Sequence, residues 1–191
     1  MRRFVWLLLL GAGLFLASAC KAQAPAPEYR LSATIKDIMD SMVDPSADVL
    51  WESVATIVSA TGTEERRPKT DEDWANVRRR AITLVEATNL LKMPGRQVAR
   101  QGEKSENPNI ELEPAQIEKL LNDDRQAWTT LASGLYDAAA LALTAINAKN
   151  AEGLLDSGEK IDAACENCHL KYWYPNQAAG LAAGTASPRK P

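Results

Sequence analysis

Cys165-Glu166-Asn167-Cys168-His169 constrains this chain more than any other stretch. Residues three and four apart share one helix face, so Cys165, Cys168 and His169 can address one flat ligand together. Two thiols spaced to add to vinyl groups, followed at once by an imidazole able to bind iron, form the attachment signature of c-type haem. The flanks read as helix. Ile161, Cys165, Cys168 and Tyr172 make a continuous apolar seam from Glu159 to Tyr174.

Other fates of a Cys-x-x-Cys pair fit less well. A thioredoxin-like redox pair belongs to a βαβ unit, and no part of this chain alternates strand and helix patterns. Structural zinc takes four ligands, whereas the chain holds 1 His and 3 Cys, the third being the distant Cys20. A disulfide across two intervening helical residues is strained, because the Cβ vectors do not meet. The expectation is one haem c, with thioethers at Cys165 and Cys168 and iron bound by His169.

Composition narrows the partners. Formal charge is −3, and a leader that removes Arg2 and Arg3 leaves the rest more acidic. Nucleic acid is an unsuitable partner for such a chain. Its length of 191 residues suffices for one domain with its own core. Enzymatic nucleophilic chemistry finds no Ser/His or Cys/His pair once the single His is an iron ligand, so a non-enzyme is expected.

Residues 1–19 read as a signal peptide: Met1-Arg2-Arg3, an apolar run from Phe4 to Leu16, then small residues. The run is short for a bilayer span. Leu16-Ala17-Ser18-Ala19-Cys20 looks like a bacterial lipobox whose Cys20 is lipidated, although the Leu stands four rather than three residues before it. Cleavage after Ala17-Ser18-Ala19 or Ala22-Gln23-Ala24 is the alternative. Residues 20–31 would form a short tether, 32–175 the haem-binding domain and 176–191 a disordered tail of Ala, Gly, Ser and Pro. Localisation in the periplasm follows, anchored to the membrane if Cys20 carries lipid.

Helical spacing predicts a first segment from Ser32 to Ala60, with Ile35, Ile38, Met39, Met42, Val49, Leu50, Val54, Ile57 and Val58 on its apolar stripe. Asp44-Pro45 predicts a kink or a restart capped by Asp44. Thr61-Gly62 ends the segment, and Glu64 to Lys69 reads as a charged loop. Thr70 caps a second helix with Asp71, Glu72 and Asp73 in its first turn, and Met93-Pro94-Gly95 stops it. Arg78, Arg79 and Arg80 read as a solvated face, the sharper alternative being that one of them meets a haem propionate. Gln97 to Leu112 is a polar loop. A third helix spans Pro114 to Lys149, Asn150 allows a turn, and a fourth carries Leu154, Leu155, Ile161 and the haem motif. Four helical segments without a strand signal predict an all-α, antiparallel four-helix bundle with haem on its last helix.

A four-helix chain with Cys-x-x-Cys-His on its last helix resembles the cytochrome c′ family of bacterial class II cytochromes. Small cytochromes c that carry the motif near the N-terminus do not match. The resemblance covers Ser32 to Tyr174, and Tyr172, an aromatic three residues after the His, is similar to the family pattern. It implies that the first helix supplies the residue opposite the haem His. Relatives with a non-ligating residue there are five-coordinate and bind NO or CO; relatives with Met are six-coordinate, low-spin electron carriers. The first segment offers Met39 and Met42. Core filling is the ordinary fate of such a Met, but with one His in the chain Met is the best remaining neutral ligand. Ligating Met residues come early in that helix among the relatives, which suits Met39, with Met42 packed alongside. Met93, beside Pro94 at a helix stop, is a poor candidate.

Trp173 stands where gas-binding relatives carry a basic residue, four positions after the His. That departure counts against gas binding and makes the wall beside the His more apolar, which raises a reduction potential. The resemblance is therefore closest to the low-spin Met/His members. It implies a one-electron carrier with redox partner proteins and, as in many relatives, a homodimer; the alternative is a five-coordinate NO- or CO-binding protein.

Overall fold

Thr34 opens the first helix, α1 (Ile35–Ile38), with a capping box: its hydroxyl accepts from the Asp37 N–H, and the Asp37 carboxylate accepts from the Thr34 N–H. The computed structural model describes residues 29–177. The leader 1–19, Cys20, most of the 20–31 tether and the tail beyond Gln177 lie outside the described residues. Asn176 and Gln177, expected in the tail, form a turn in which the Gln177 N–H donates to the Tyr174 carbonyl.

The chain then widens into a π turn, Met39–Val43, before resuming as α2 (Asp44–Ser53). Pro45 explains the widening. It lacks an N–H and its ring would collide with the carbonyl of Ser41 in a regular helix, and an extra residue in the turn relieves both. The restart expected with Asp44 as cap does not occur. Asp44 is itself helical (φ −57°, ψ −54°), and its N–H donates to the Met39 carbonyl.

Helix ends earlier than its periodicity predicts. Val54 turns extended (φ −136°, ψ 94°), and an antiparallel hairpin follows, β1 (Ala55–Ser59) against β2 (Gly62–Arg66), with Ile57 opposite Glu64. The expected helix to Ala60 and the expected loop from Glu64 are thereby corrected. Thr56-Ile57-Val58 is a β-branched run, stiff at χ1 and better suited to a pleated strand. Gly62, at φ 138°, supplies the turn that an L side chain resists. Ile57 and Val58, read as a core stripe, are 37% and 78% exposed instead.

Helix α3 (Asp71–Leu91) starts as expected, with a capping box between Thr70 and Asp73, and buries Trp74, Val77, Ala81, Leu84, Val85, Thr88 and Leu91. Backbone N–H groups of Lys69 and Thr70 lower the Asp73 carboxyl from its ordinary value; the Thr34 N–H does the same for Asp37, and the Lys149 ammonium for Asp71. Carboxyls whose folded values are depressed stabilise the fold above their unfolded value of about 3.9, and that stability is lost as pH falls through the folded values. Asp73→Asn is expected to flatten the fall in stability below about pH 4 in acid titrations followed by far-UV circular dichroism.

Between α3 and the next helix, the loop from Lys92 to Glu113 crosses the start of α1 as a strap. Its Gln97 and Val98 carbonyls accept from the Ile35 and Lys36 N–H groups at 2.9 Å each, so the strap satisfies donors that a helix start leaves open. Arg96 fastens it. That buried guanidinium donates to the Leu90 carbonyl (2.9 Å), to the Ala33 carbonyl and to the Met93 sulfur.

The third helix expected from Pro114 to Lys149 is two helices, α4 (Pro114–Asp123) and α5 (Arg125–Asn147). Asp124, at φ −135° and ψ 71°, breaks the chain and caps α5 through its carboxylate on the Ala127 N–H. Leu120, next to the buried Leu121, is 37% exposed near this break. Asn150 caps α6 (Ala151–Tyr172) on the Gly153 N–H, as its turn position suggested. Helix α5 packs on α3 and α6, and α2 packs on the same two, so four helical stretches enclose Leu50, Leu84, Trp128, Ala139 and Ile161. The described residues are thus mostly helical, with one small two-stranded sheet.

At Gly158, helix α6 receives the Trp51 side chain of α2. The Trp51 indole N–H donates to the Gly158 carbonyl at 3.0 Å, and a Cβ at position 158 would lie 3.0 Å from the Trp51 ring. Alanine there gains about 1 kcal/mol of helix propensity. Against this stand overpacking of about 1–3 kcal/mol and, if the indole yields, its hydrogen bond of about 1 kcal/mol. Gly158→Ala is therefore expected to be destabilising by about 1–2 kcal/mol in urea unfolding.

Candidate functional site

Helix α6 presents Cys165, Cys168 and His169 on one face, as their spacing requires. Cys168 is buried in the seam with Ile161 and Tyr172, while Cys165 and His169 are half-buried. His169 lines a cavity of about 190 Å³. Other lining residues come from distant parts of the chain: Met39 of the π turn, Asp44 of α2, Val98 and Leu112 of the strap, and Ile117 of α4. Trp173 and Tyr174, just past α6, close the side next to the imidazole.

The fold separates the two methionines of the first segment. Met39 is 9% exposed and lines the cavity with His169; Met42 is half-buried against the core and is not among the lining residues. In a regular helix, positions three apart share a face, but the wider π turn rotates Met42 away from Met39. Met93 is engaged elsewhere, its sulfur accepting from Arg96. The three arginines of α3 lie away from the cavity: Arg78 donates to Asn147 and Arg79 pairs with Glu72, both on the surface.

Burial governs the chemistry of the donors. It holds the His169 imidazole below its usual value, partly offset by the charges of Asp44, Glu166 and Glu111, so the ring is neutral at pH 7 and has a lone pair to give. Burial also pushes the Cys165 and Cys168 thiols up to about 12, helped at Cys165 by the negative Asp44. The Asp44 carboxyl is raised from its ordinary value by desolvation against the surrounding protein and by the neighbouring Asp40 and Asp48, although the residue keeps an exposed face. At the rim, Lys36 reaches Glu106 at 2.5 Å and Asp40 at 3.1 Å, fastening the strap to α1.

The residues present fit a haem. Two thiols and a neutral imidazole share a face, and the imidazole lines a cavity whose wall is apolar at Met39, Val98, Leu112, Ile117 and Trp173 and charged at Lys36, Asp40, Lys104, Glu106 and Glu111; the Met39 thioether belongs to that lining, whereas Cys165 and Cys168 do not. One buried hydroxyl beside the motif, that of Tyr172, has no hydrogen-bond partner; its ring meets Trp128 edge-on at 5.4 Å. Among the described residues no group of three or more His, Cys, Asp or Glu could hold a metal ion alone.

Sequence patterns did not reveal the strap's part in the site. Val98 was the available signal, a lone apolar residue in a polar loop, and it is 2% exposed. Asp44, whose place beside Pro45 predicts a kink or a capped restart, also lines the cavity. No protein-family model, no curated protein and no solved structure matches this chain.

Proposed function

We propose that the chain is a c-type cytochrome that carries one covalently bound haem and serves as a one-electron carrier. The observation that carries this reading is the shared cavity: Met39 and His169, 130 positions apart, line the same space while Cys165 and Cys168 flank the imidazole on α6. The haem, when bound, supplies an iron that alternates between ferric and ferrous. Cys165 and Cys168 would hold it as thioethers, His169 would bind iron through its neutral nitrogen, and Met39, which lines the same cavity, would give its sulfur as the second ligand. Trp173, Leu112, Val98 and Ile117 would form the apolar part of the surroundings of the iron, and the cycle of α2, α3, α5 and α6 supports the four-helix, cytochrome c′-like architecture.

Absorption spectra of the protein matured with its own leader test this directly. The expected result is a low-spin, six-coordinate spectrum that changes little when CO is added to the ferrous protein. A high-spin spectrum and rapid CO binding would transfer the reading to a gas-binding haem protein, and absence of haem would end both.

The same preparation tests the periplasmic location and the tether. The protein is expected to partition with membranes, and Cys20→Ser with a competent signal to release it. A mature N-terminus beyond residue 20, read by mass spectrometry, removes the lipid anchor. Redox partners would then meet the cytochrome at the membrane surface; homodimer formation is read from sedimentation of the purified protein.

A further inference from the structure

The end of α6 is built around the His169 side chain. Trp173 and Tyr174 both donate their backbone N–H groups to the His169 carbonyl, at 2.8 and 3.0 Å, so the chain folds back as the helix stops. Both rings then stand beside the imidazole: Trp173 at 6.1 Å and tilted by 52°, Tyr174 at 5.8 Å and edge-on at 62°. The Leu112 N–H on the Trp173 carbonyl (2.8 Å) fixes this turn to the strap.

Tyr174 has a second anchor. Its hydroxyl donates to Glu166 Oε2 at 2.8 Å. Glu166 lies three residues before His169, hence on the same helix face. To reach from position 174 back to 166, the tyrosine ring must pass alongside the imidazole. Glu166 is also one of the two residues enclosed by the cysteines of the motif, so the contact ties the ring to the attachment site itself.

We propose that Tyr174, pinned by Glu166, is a positioning residue that sets the plane of the His169 imidazole and thereby its bond to iron. The proposal rests on the haem reading above. An axial imidazole can rotate about its own bonds unless its surroundings hold it, and neighbours of a metal ligand commonly supply that restraint. Here the restraint is a ring edge locked at its far end by a hydrogen bond.

The test uses the matured ferric holoprotein and its haem-methyl proton resonances, whose spread follows the orientation of the axial imidazole. Tyr174→Leu is expected to change that spread markedly, and Tyr174→Phe to change it in the same sense by less. Glu166→Gln, which still accepts the hydroxyl, should keep the wild-type pattern. Identical methyl shifts in wild type and Tyr174→Leu overturn the proposal even if the melting temperature falls, since a merely structural role would move stability alone. A Glu166→Gln pattern as altered as that of Tyr174→Leu overturns the tether. Should Tyr174→Leu not fold, Tyr174→Phe decides: an unchanged spread overturns the proposal. A wild type with no covalent haem overturns the reading beneath it, a failure distinct from unchanged methyl shifts.

Discussion

The Cys165→Ser/Cys168→Ser double variant is expected to release all of its haem into acid–acetone, whereas the wild type keeps its haem with the protein. Each single variant should retain one thioether and shift the pyridine haemochrome band toward that of a haem with one unreacted vinyl. The separation between covalent and coordinate attachment is complete in kind: without thioethers only His169 and Met39 would hold the group. Cys168 complicates the stability readout, because a Ser there places a hydroxyl in the seam beside Ile161 and Tyr172. An unpartnered buried hydroxyl costs about 1–3 kcal/mol. The Cys165→Ala/Cys168→Ala pair avoids that cost and should lose covalent haem equally. Haem that survives extraction in either double variant would sink the attachment assignment.

The motif was legible because its spacing suits its chemistry; i, i+3 and i+4 place two thiols and an imidazole close together on one helical face. Helix α3 was legible for a similar reason, since Thr70, Asp73 and the stripe from Trp74 to Leu91 agree with one another. Agreement failed where local and periodic signals diverged. Ile57 and Val58 continue the apolar spacing of α2, yet with Thr56 they form a β-branched run, and Val54 leaves the helix before them. The break at Asp124 carried no Pro or Gly to announce it. Its cause is tertiary: Arg125 donates to the Lys92 and Met93 carbonyls and the Trp128 indole to Leu91, holding the start of α5 against the end of α3. The π turn lies between these cases. Pro45 announced a disturbance, but not that the chain would absorb it by widening the turn around Met39.

That widening decides which methionine can be tested as an iron ligand. If Met39 ligates, the oxidised wild type is low-spin with the weak sulfur-to-iron charge-transfer band of His/Met coordination, and ferrous CO binding waits for the sulfur to leave. Met39→Ala should convert the haem to five-coordinate and high-spin, lower its potential and open it to CO. Because Met39 is 9% exposed, the same change leaves a cavity costing about 2–5 kcal/mol. Met39→Leu separates the two effects: it conserves volume, costs under about 1.5 kcal/mol, and still removes the sulfur. Its spin state should match that of Met39→Ala while its stability stays near wild type. Met42→Ala should leave the spectrum unchanged, and because Met42 is only half-buried its stability cost should fall below that of a fully buried methionine. A spin-state switch in Met42→Ala instead would mean that haem rewinds the π turn and brings Met42 to the iron. A wild type already high-spin and quick to bind CO would leave both sulfurs as packing and make the cavity beside Met39 a gas site.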